Sequence, residues 1–172
     1  GIAAAGAAAE SGLDVVLVEQ DNLLGGAQLS TPCGGSESIP SVQELESSGV
    51  RVMTRTTAFG LYDYNVAGLV ERVTDHLPDP PGYLPRQRFW TLRTKYTIVA
   101  AGAIERHIAF GNNDRPGVMT AAAARTYLNR FAVLPGENII IATNNDSAYA
   151  GAIEPYEVVE PVEVLLKQTR EV

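Results

Sequence analysis

The sequence is poor in the residue types that support metal and disulfide chemistry. Among 172 residues it has one cysteine, Cys33, and two histidines. One cysteine excludes an internal disulfide, and no second cysteine is present to complete a zinc or iron–sulfur motif. Basic side chains are also scarce, since 13 Lys and Arg stand against 20 Asp and Glu and give a net charge of −7. This balance argues against a nucleic acid or an anionic membrane as partner.

Long apolar runs are absent as well. Residues 1–9 are apolar, but Glu10 ends this run far short of a membrane span, and no basic segment precedes it as in a signal peptide. With 45% hydrophobic residues, the composition is typical of a soluble globular protein, for which a cytoplasmic location is the default expectation. The length allows one core of ordinary size or pieces of two domains.

The most informative pattern lies in residues 1–26. An Ala- and Gly-rich helix is predicted over residues 2–11, and the apolar run Val15–Val18 is typical of a parallel strand that ends at Glu19. In a dinucleotide-binding βαβ unit, a glycine turn brings a helix N-terminus to the pyrophosphate, and an acid about 20 residues further binds the ribose. Gly1 fits the last glycine of such a turn, which predicts a fragment that lacks the first strand.

Other interpretations of this stretch stay open. The alternative to a dinucleotide-binding helix is a tightly packed amphipathic helix. In the predicted helix Gly6 permits close backbone approach, and Gly12 is expected to act as a C-cap. The Gly25–Gly26 pair can bring N–H groups to a cofactor or form a simple flexible turn. An acid at position 19 favours NAD over NADP, because a 2′-phosphate would meet a carboxylate, but FAD also has free ribose hydroxyls.

The next part of the chain predicts a mixed sheet. A short helix over residues 41–48 leads into the apolar segment 50–53, expected as a strand parallel to residues 15–18. Short strand-forming segments recur between about residues 56 and 93, interrupted by a Pro-rich loop. They predict an antiparallel meander inserted in the parallel domain.

Beyond the meander, two segments return to the buried-strand pattern. Residues 96–100 form one and run into small residues, as a sheet needs where a cofactor comes close. Residues 139–142 form the other, after a helix that Thr120 is placed to cap. Residues 143–147 would then open a second βαβ unit, whereas the prolines and alternating Glu and Val of 151–172 fit no element of this scheme.

Catalytic groups are hard to find in this sequence. Cys33 lies in a Ser-, Thr- and Gly-rich loop without a cationic neighbour to lower its pKa. His76 and His107 have no sequence neighbour that suggests an acid–base dyad. The sequence therefore predicts neither a catalytic residue nor a metal ligand, and it favours a module that binds and docks.

Several long segments resemble the alpha subunit of heterotetrameric sarcosine oxidase. They read RTTAFGLYDYN, VERVTDHLP, AAGAIERHIAFGNNDRPGVM, ARTYLNRFAVLPG and ATNNDSAY. The resemblance implies an α/β, Rossmann-like FAD/NAD(P)-binding fold with a parallel sheet and an inserted antiparallel meander. It assigns residues 1–136 to the first dinucleotide-binding domain, 137–150 to the start of a second βαβ unit and 151–172 to an atypical tail.

The resemblance also implies an activity. The complex in that family oxidises sarcosine to glycine with O2, yields hydrogen peroxide and transfers the one-carbon unit to tetrahydrofolate. Its alpha subunit holds NAD, while FAD or FMN lies with the beta subunit and at the interface. The chain would thus be part of a CH–NH oxidoreductase, inactive alone, that works with other subunits on a small amine. Alternatives are another FAD/NAD(P)-dependent amine or opine oxidoreductase subunit and a non-catalytic dinucleotide-binding assembly module.

Carried onto this sequence, the resemblance implies eight cofactor-binding residues: Gly1, Glu19, Gln20, Asp21, Gly26, Ala27, Ala58 and Gly102. Glu19 would accept the ribose hydroxyls, with Gln20 and Asp21 on the adenosine side. Ala58 would offer its backbone near the adenine, and Gly102 would lie in a small-residue turn near the phosphates.

Two positions depart from the family pattern. Ala101 stands where relatives usually carry Thr, which removes a hydroxyl donor near the cofactor. His107 stands where they usually carry Pro, which loosens a turn. Because the phosphate turn is also incomplete, the isolated fragment is not expected to bind a dinucleotide with a low-micromolar dissociation constant.

Overall fold

The computed structural model describes residues 1–31 and 38–143, and it describes the backbone of 162–166. The chain divides into two compact units, one made of Gly1–Gly26 and Ser38–Gly102 and the other of Ala27–Glu37 and Ala103–Val172. Parallel and antiparallel sheets occur together with helices, which confirms the predicted α/β class.

The first unit opens with two helix–strand steps: α1 (Ile2–Glu10), β1 (Val15–Val18), α2 (Val42–Ser47) and β2 (Val50–Met53). β1 and β2 pair in parallel, with Val15 opposite Val50 and Val18 opposite Met53. The predicted helices and the predicted parallel pair are thus confirmed.

A small apolar core lies between these helices and strands. Ala5 of α1, Leu45 of α2 and Val50 of β2 are buried together with Leu24. Removing a Leu or Val side chain from water contributes about 1.5–3 kcal/mol each, so this cluster stabilises the packing of α1 and α2 on the parallel pair.

The helix ends show why α1 and α2 stop and start where they do. Gly12 follows the C-cap of α1 with φ +78°, a left-handed conformation that glycine adopts without a Cβ clash. α2 begins with a capping box, in which Ser41 Oγ accepts from the Glu44 N–H and Glu44 Oε2 accepts from the Ser41 N–H. The predicted role of Gly6 is wrong, because nothing lies within 4 Å of the position its Cβ would take.

The meander follows as three antiparallel strands: β3 (Thr56–Tyr62), β4 (Val66–Arg72) and β5 (Gln87–Arg93). β4 lies in the middle, and its Leu69 is almost completely buried. The register of β3 shifts between Ala58 and Gly60, which is a β-bulge. The antiparallel meander predicted for residues 56–93 is confirmed.

The prediction of a strand over residues 96–100 is wrong. This segment forms no strand, and Ile98 and Val99 are each 69% exposed. An apolar segment becomes a strand only when a neighbour accepts its backbone hydrogen bonds. Among the residues that the structure describes, β1 pairs only with β2, and no strand pairs with residues 96–100.

The second unit contains α3 (Ala121–Arg125), continued as one π-helical turn over Thr126–Arg130, and the strands β6 (Ile139–Thr143) and β7 (Val162–Leu166). Thr120 caps α3 through the Ala123 N–H, as predicted. β6 confirms the second predicted strand, and its parallel partner β7 lies in the tail that fitted no predicted element.

Some predictions lie outside the described residues or stay untested. Cys33 and the predicted tip over residues 144–147 fall outside the described ranges, as does most of the tail. The domain boundaries at residues 136 and 150 remain predictions. No helix in the described part of the chain is long and apolar enough to cross a membrane.

Candidate cofactor site

The segment that follows β1 is held between β2 and β3. The Glu19 N–H donates to the Met53 carbonyl at 2.9 Å, and the Thr56 N–H donates to the Glu19 carbonyl at 2.9 Å. One residue beyond the strand, the backbone of Glu19 is therefore fixed through both its N–H and its carbonyl. This position results directly from the parallel pairing, which carries the end of β1 to the point where β2 turns into β3.

The Glu19 carboxylate is half-buried and held in place. Its Oε1 accepts from the Asp21 N–H at 2.9 Å. The Asp21 carbonyl accepts from the Arg55 N–H at 2.8 Å, and the Gln20 carbonyl accepts from the Arg72 guanidinium. The loop that carries the acid is thus fixed by several hydrogen bonds. A carboxylate held in this way can accept hydrogen bonds from a pair of ribose hydroxyls.

The N-terminus of α1 offers the complementary chemistry. Gly1 is the N-cap and makes no side-chain cap, and no acidic side chain lies in the first turn. The first N–H groups of a helix have no partner within the helix and carry a partial positive charge, which suits an anion such as a pyrophosphate.

The structure also shows which predicted residues this helix end approaches. A Cβ built on Gly1 would lie 3.6 Å from Ala100 Cβ and 3.9 Å from Leu17 Cδ1. These are ordinary contact distances, so packing alone does not require glycine. Leu17 is two residues before Glu19, and Ala100 is two residues before Gly102. Gly1 thereby lies near both chain segments that carry those predicted site residues.

The remaining predicted residues offer backbone more than side chains. Gly102 has φ +71° and Gly26 has φ +53°, conformations that favour glycine, and both are exposed. Ala58 is exposed on β3, two residues beyond the bond from Thr56 to Glu19. Gly26 ends the first unit, whereas Ala27, also exposed, begins the second.

This set of groups fits an adenine dinucleotide. It offers an oriented carboxylate for ribose hydroxyls, a helix N-terminus for the pyrophosphate and exposed backbone at Ala58 and Gly102. The side chains of the site supply no acid–base pair, and both His76 and His107 are exposed. In the described ranges, no group of His, Cys, Asp and Glu side chains could hold a metal ion.

Sequence reasoning missed the residues that hold the loop of Glu19. Arg72 donates to Gln20 across 52 positions of sequence, and no local pattern predicts a contact over that distance. Arg55 contributes its backbone N–H with φ +52°, a left-handed conformation that a non-glycine residue rarely adopts. The only local signal for the contact made by Arg55 was the tight turn between β2 and β3.

Comparison with known proteins adds independent evidence. No family model matches the chain. The chain is 44% identical over 161 residues, 90% of its length, to the sarcosine oxidase subunit alpha of Rhizobium meliloti (strain 1021). The sarcosine oxidase alpha subunits of Corynebacterium sp. strains U-96 and P-1 are 39% and 40% identical over 158 residues, 87% of the chain. The chain spans 16% of the length of each of these relatives.

A solved structure shows the same fold. L-proline dehydrogenase from P. horikoshii superimposes with a TM-score of 0.67 over 100% of this chain and 35% of its own, at 22% sequence identity. This likeness supports the fold class alone. The curated relatives go further, and they confirm the predicted resemblance: this chain matches a segment of the alpha subunit of sarcosine oxidase.

Proposed function

We propose that this chain is the NAD-binding part of the alpha subunit of a sarcosine oxidase-like flavoenzyme. The observation that carries the proposal is the half-buried Glu19 carboxylate, held at the end of a parallel strand whose Leu17 lies beside the N-cap of α1. The names of the curated relatives support the assignment to the alpha subunit of a sarcosine oxidase. The complete enzyme would oxidise sarcosine to glycine with O2, release hydrogen peroxide and pass the one-carbon unit to tetrahydrofolate.

In this proposal the chain binds and orients the cofactor. Glu19 accepts hydrogen bonds from the ribose hydroxyls, and the bond from the Asp21 N–H fixes the direction of its carboxylate. The first turn of α1 holds the pyrophosphate. A 2′-phosphate would meet the negative charge of Glu19, which disfavours NADP.

The chain's residues do not carry the redox step. A bound nicotinamide or flavin supplies hydride chemistry, and the FAD or FMN that meets the amine and oxygen is assigned to the other parts of the complex. The beta subunit and the remaining subunits are therefore required partners. No residue of this chain is proposed to be catalytic.

The first test measures NAD affinity by titration calorimetry in the assembled oxidase that contains this chain. Glu19→Ala is expected to weaken binding by about tenfold to a hundredfold, because a hydrogen bond to a charged group contributes about 1.5–3 kcal/mol. Glu19→Gln keeps an acceptor for the Asp21 N–H but removes the charge, so it should narrow the preference for NAD over NADP.

Glu46→Ala is the matched control, since it removes an exposed acid from α2 outside the site. It should leave NAD affinity unchanged. Equal affinity in Glu19→Ala and the unsubstituted enzyme would remove Glu19 from the site. A loss of the same size in Glu46→Ala would show that net charge, and not this carboxylate, sets the affinity.

A second test addresses the reaction. Sarcosine added without oxygen should bleach the flavin spectrum of the assembled enzyme. A spectrum that proline or another amine bleaches, but sarcosine does not, would assign the chain to a different oxidoreductase. NAD binding without any bleaching by amines would favour the assembly module.

A further inference from the structure

A cleft of about 460 Å³ lies in the first unit between the parallel pair and the meander. Val16 and Met53 line it on the side of the parallel pair, and Leu69, Trp90 and Leu92 line it on the side of the meander. It is an open cleft, because Arg51, Trp90 and Thr91, which line it, are all exposed. None of the eight predicted cofactor residues lines it.

One wall of this cleft carries a cation, Arg51. Arg51 lies in the middle of β2, opposite Val16 in the register of the parallel pair, and it lines the cleft. Its neighbours Val50 and Val52 pack with the apolar core. Because side chains alternate along a strand, Arg51 lies on the opposite face, which is the face toward the meander. Arg51 is exposed, so its guanidinium is open to solvent and to a ligand in the cleft.

The facing wall holds an acid whose charge is already compensated. Glu71 Oε2 accepts from Arg88 Nη1 at 3.1 Å and from Trp90 Nε1 at 2.8 Å. The Arg88 guanidinium also lies 5.5 Å from the centre of the Trp90 ring. These contacts fix the indole and pair Glu71 with a cation of its own. Arg51 and Glu71 are the two charged residues that line the cleft, and Glu71 is paired with Arg88 outside it.

The walls therefore combine apolar surface, an oriented indole and a cation at one end. Thr54 also lines the cleft and carries a hydroxyl. An arginine and a hydroxyl can bind the two oxygens of a carboxylate, and an aromatic ring packs well on an indole. A phosphate or a metal ion would leave the apolar walls without a partner.

We propose that this cleft binds a small organic carboxylate with an apolar or aromatic body. The carboxylate lies at Arg51, and the body packs on Trp90 and Leu92. This site is separate from the NAD site, and the two are connected through Met53, which lines the cleft and whose carbonyl accepts the Glu19 N–H.

Trp90 provides a direct test, because it is the only tryptophan of the chain. Its emission is measured on the full chain during titration with phenylacetate, excited at a wavelength that this probe does not absorb. A saturable change is expected. The neutral analogue phenylacetamide should bind at least about tenfold more weakly, because it cannot form the charged hydrogen bonds with Arg51.

Variants locate the site. Arg51→Gln should lose most of the affinity for phenylacetate and should bind phenylacetate and phenylacetamide alike. Arg93→Gln is the matched control, because Arg93 is exposed on β5 and does not line the cleft. It should behave like the unsubstituted chain.

Three results would overturn the proposal: no saturable change at millimolar phenylacetate, equal affinity for the two probes in the unsubstituted chain, or unchanged binding in Arg51→Gln. If Arg51→Gln loses its circular dichroism signal, the comparison of the two probes on the unsubstituted chain decides alone. The readout does not depend on NAD, so failure of the NAD site leaves this test intact.

Discussion

Two apolar segments of similar composition have different structures in this molecule. Val15–Val18 forms β1, and all four residues are at least half-buried. Residues 96–100, which read YTIVA, form no strand and are exposed. The intrinsic strand preference of the two segments is similar, so their difference must come from what surrounds them.

The surroundings differ in two ways. β1 has β2 as a parallel partner, and its side chains Val15 and Leu17 pack against the core built by α1 and α2. Residues 96–100 have no strand partner among the described residues, and the nearby bond between the Thr94 and Thr97 hydroxyls is local. An apolar, strand-forming sequence is thus not sufficient for a strand. It also needs a second segment that pairs with its backbone.

The largest expected effect tests this comparison directly. Leu45→Ala removes a buried side chain from the core behind β2 and should lower the free energy of unfolding by about 2–5 kcal/mol. Ile98→Ala removes an apolar side chain that is 69% exposed and should change it by no more than about 0.5 kcal/mol. Urea denaturation followed by circular dichroism measures both.

One result for the Ile98→Ala variant would contradict the expected difference from Leu45→Ala. A loss above about 2 kcal/mol in Ile98→Ala, measured under the same conditions, would mean that residues 96–100 are packed in solution. The two segments would then be equivalent, and the prediction of a buried strand over 96–100 would be restored.

This comparison also explains how far sequence reasoning reached. β1, β2 and the meander were predictable because local patterns and their pairing partners both lie within the described chain. The helix that begins after Gly1 was predictable from the local sequence, whereas the cofactor-binding role of Glu19, inferred from spacing, stays a prediction. The structure of residues 96–100 was not predictable in this way. The segment has the sequence pattern of a strand, but it forms one only if a partner strand is present.

The parts of the site that were missed share a physical cause. Arg72 acts on Gln20 from a distant strand, and Arg51 becomes notable only when the meander lies against its face of β2. The bond from Arg72 and the position of Arg51 at the cleft both depend on how two layers pack. Local sequence specifies each layer, whereas the contacts between layers appear only in three dimensions.

A smaller effect tests the end of α1, the helix that packs on β1. Gly12→Ala should lower the free energy of unfolding by about 1–2 kcal/mol, because Gly12 has φ +78°. Gly6→Ala is the matched change within the same helix and should raise it by about 0.5–1 kcal/mol, since nothing lies within 4 Å of the new Cβ. Opposite signs in thermal denaturation are the expected result. A loss in Gly6→Ala would indicate close packing of this face, as first predicted from the sequence.

The smallest effect concerns a third way to order a segment, through charged hydrogen bonds. The Pro-rich loop that precedes β5 has neither a strand partner nor a large apolar core. Asp75 joins its two ends, because Oδ1 accepts from Arg86 Nε at 2.8 Å and Oδ2 accepts from the Gln87 amide. The hydrogen bond from Gln87, followed by that from Arg86, holds the pKa of Asp75 below its usual value of 3.8. The ionised carboxylate is thus favoured in the folded state.

The pH dependence follows from this direction. A carboxyl group whose pKa is lower in the folded state contributes stability that is fully present above the unfolded value, here 3.8, and is lost as the pH falls through the folded value. Asp75→Asn should therefore lower the melting temperature at about pH 6, and its difference from the unsubstituted chain should vanish in stronger acid. Asp79→Asn, an exposed change in the same loop, is the control and should leave the melting temperature at about pH 6 unchanged. A difference for Asp75→Asn that stays constant from pH 6 to well below 3.8 would show that the amide itself disturbs the loop. The charge of Asp75 would then not be what orders the Pro-rich loop.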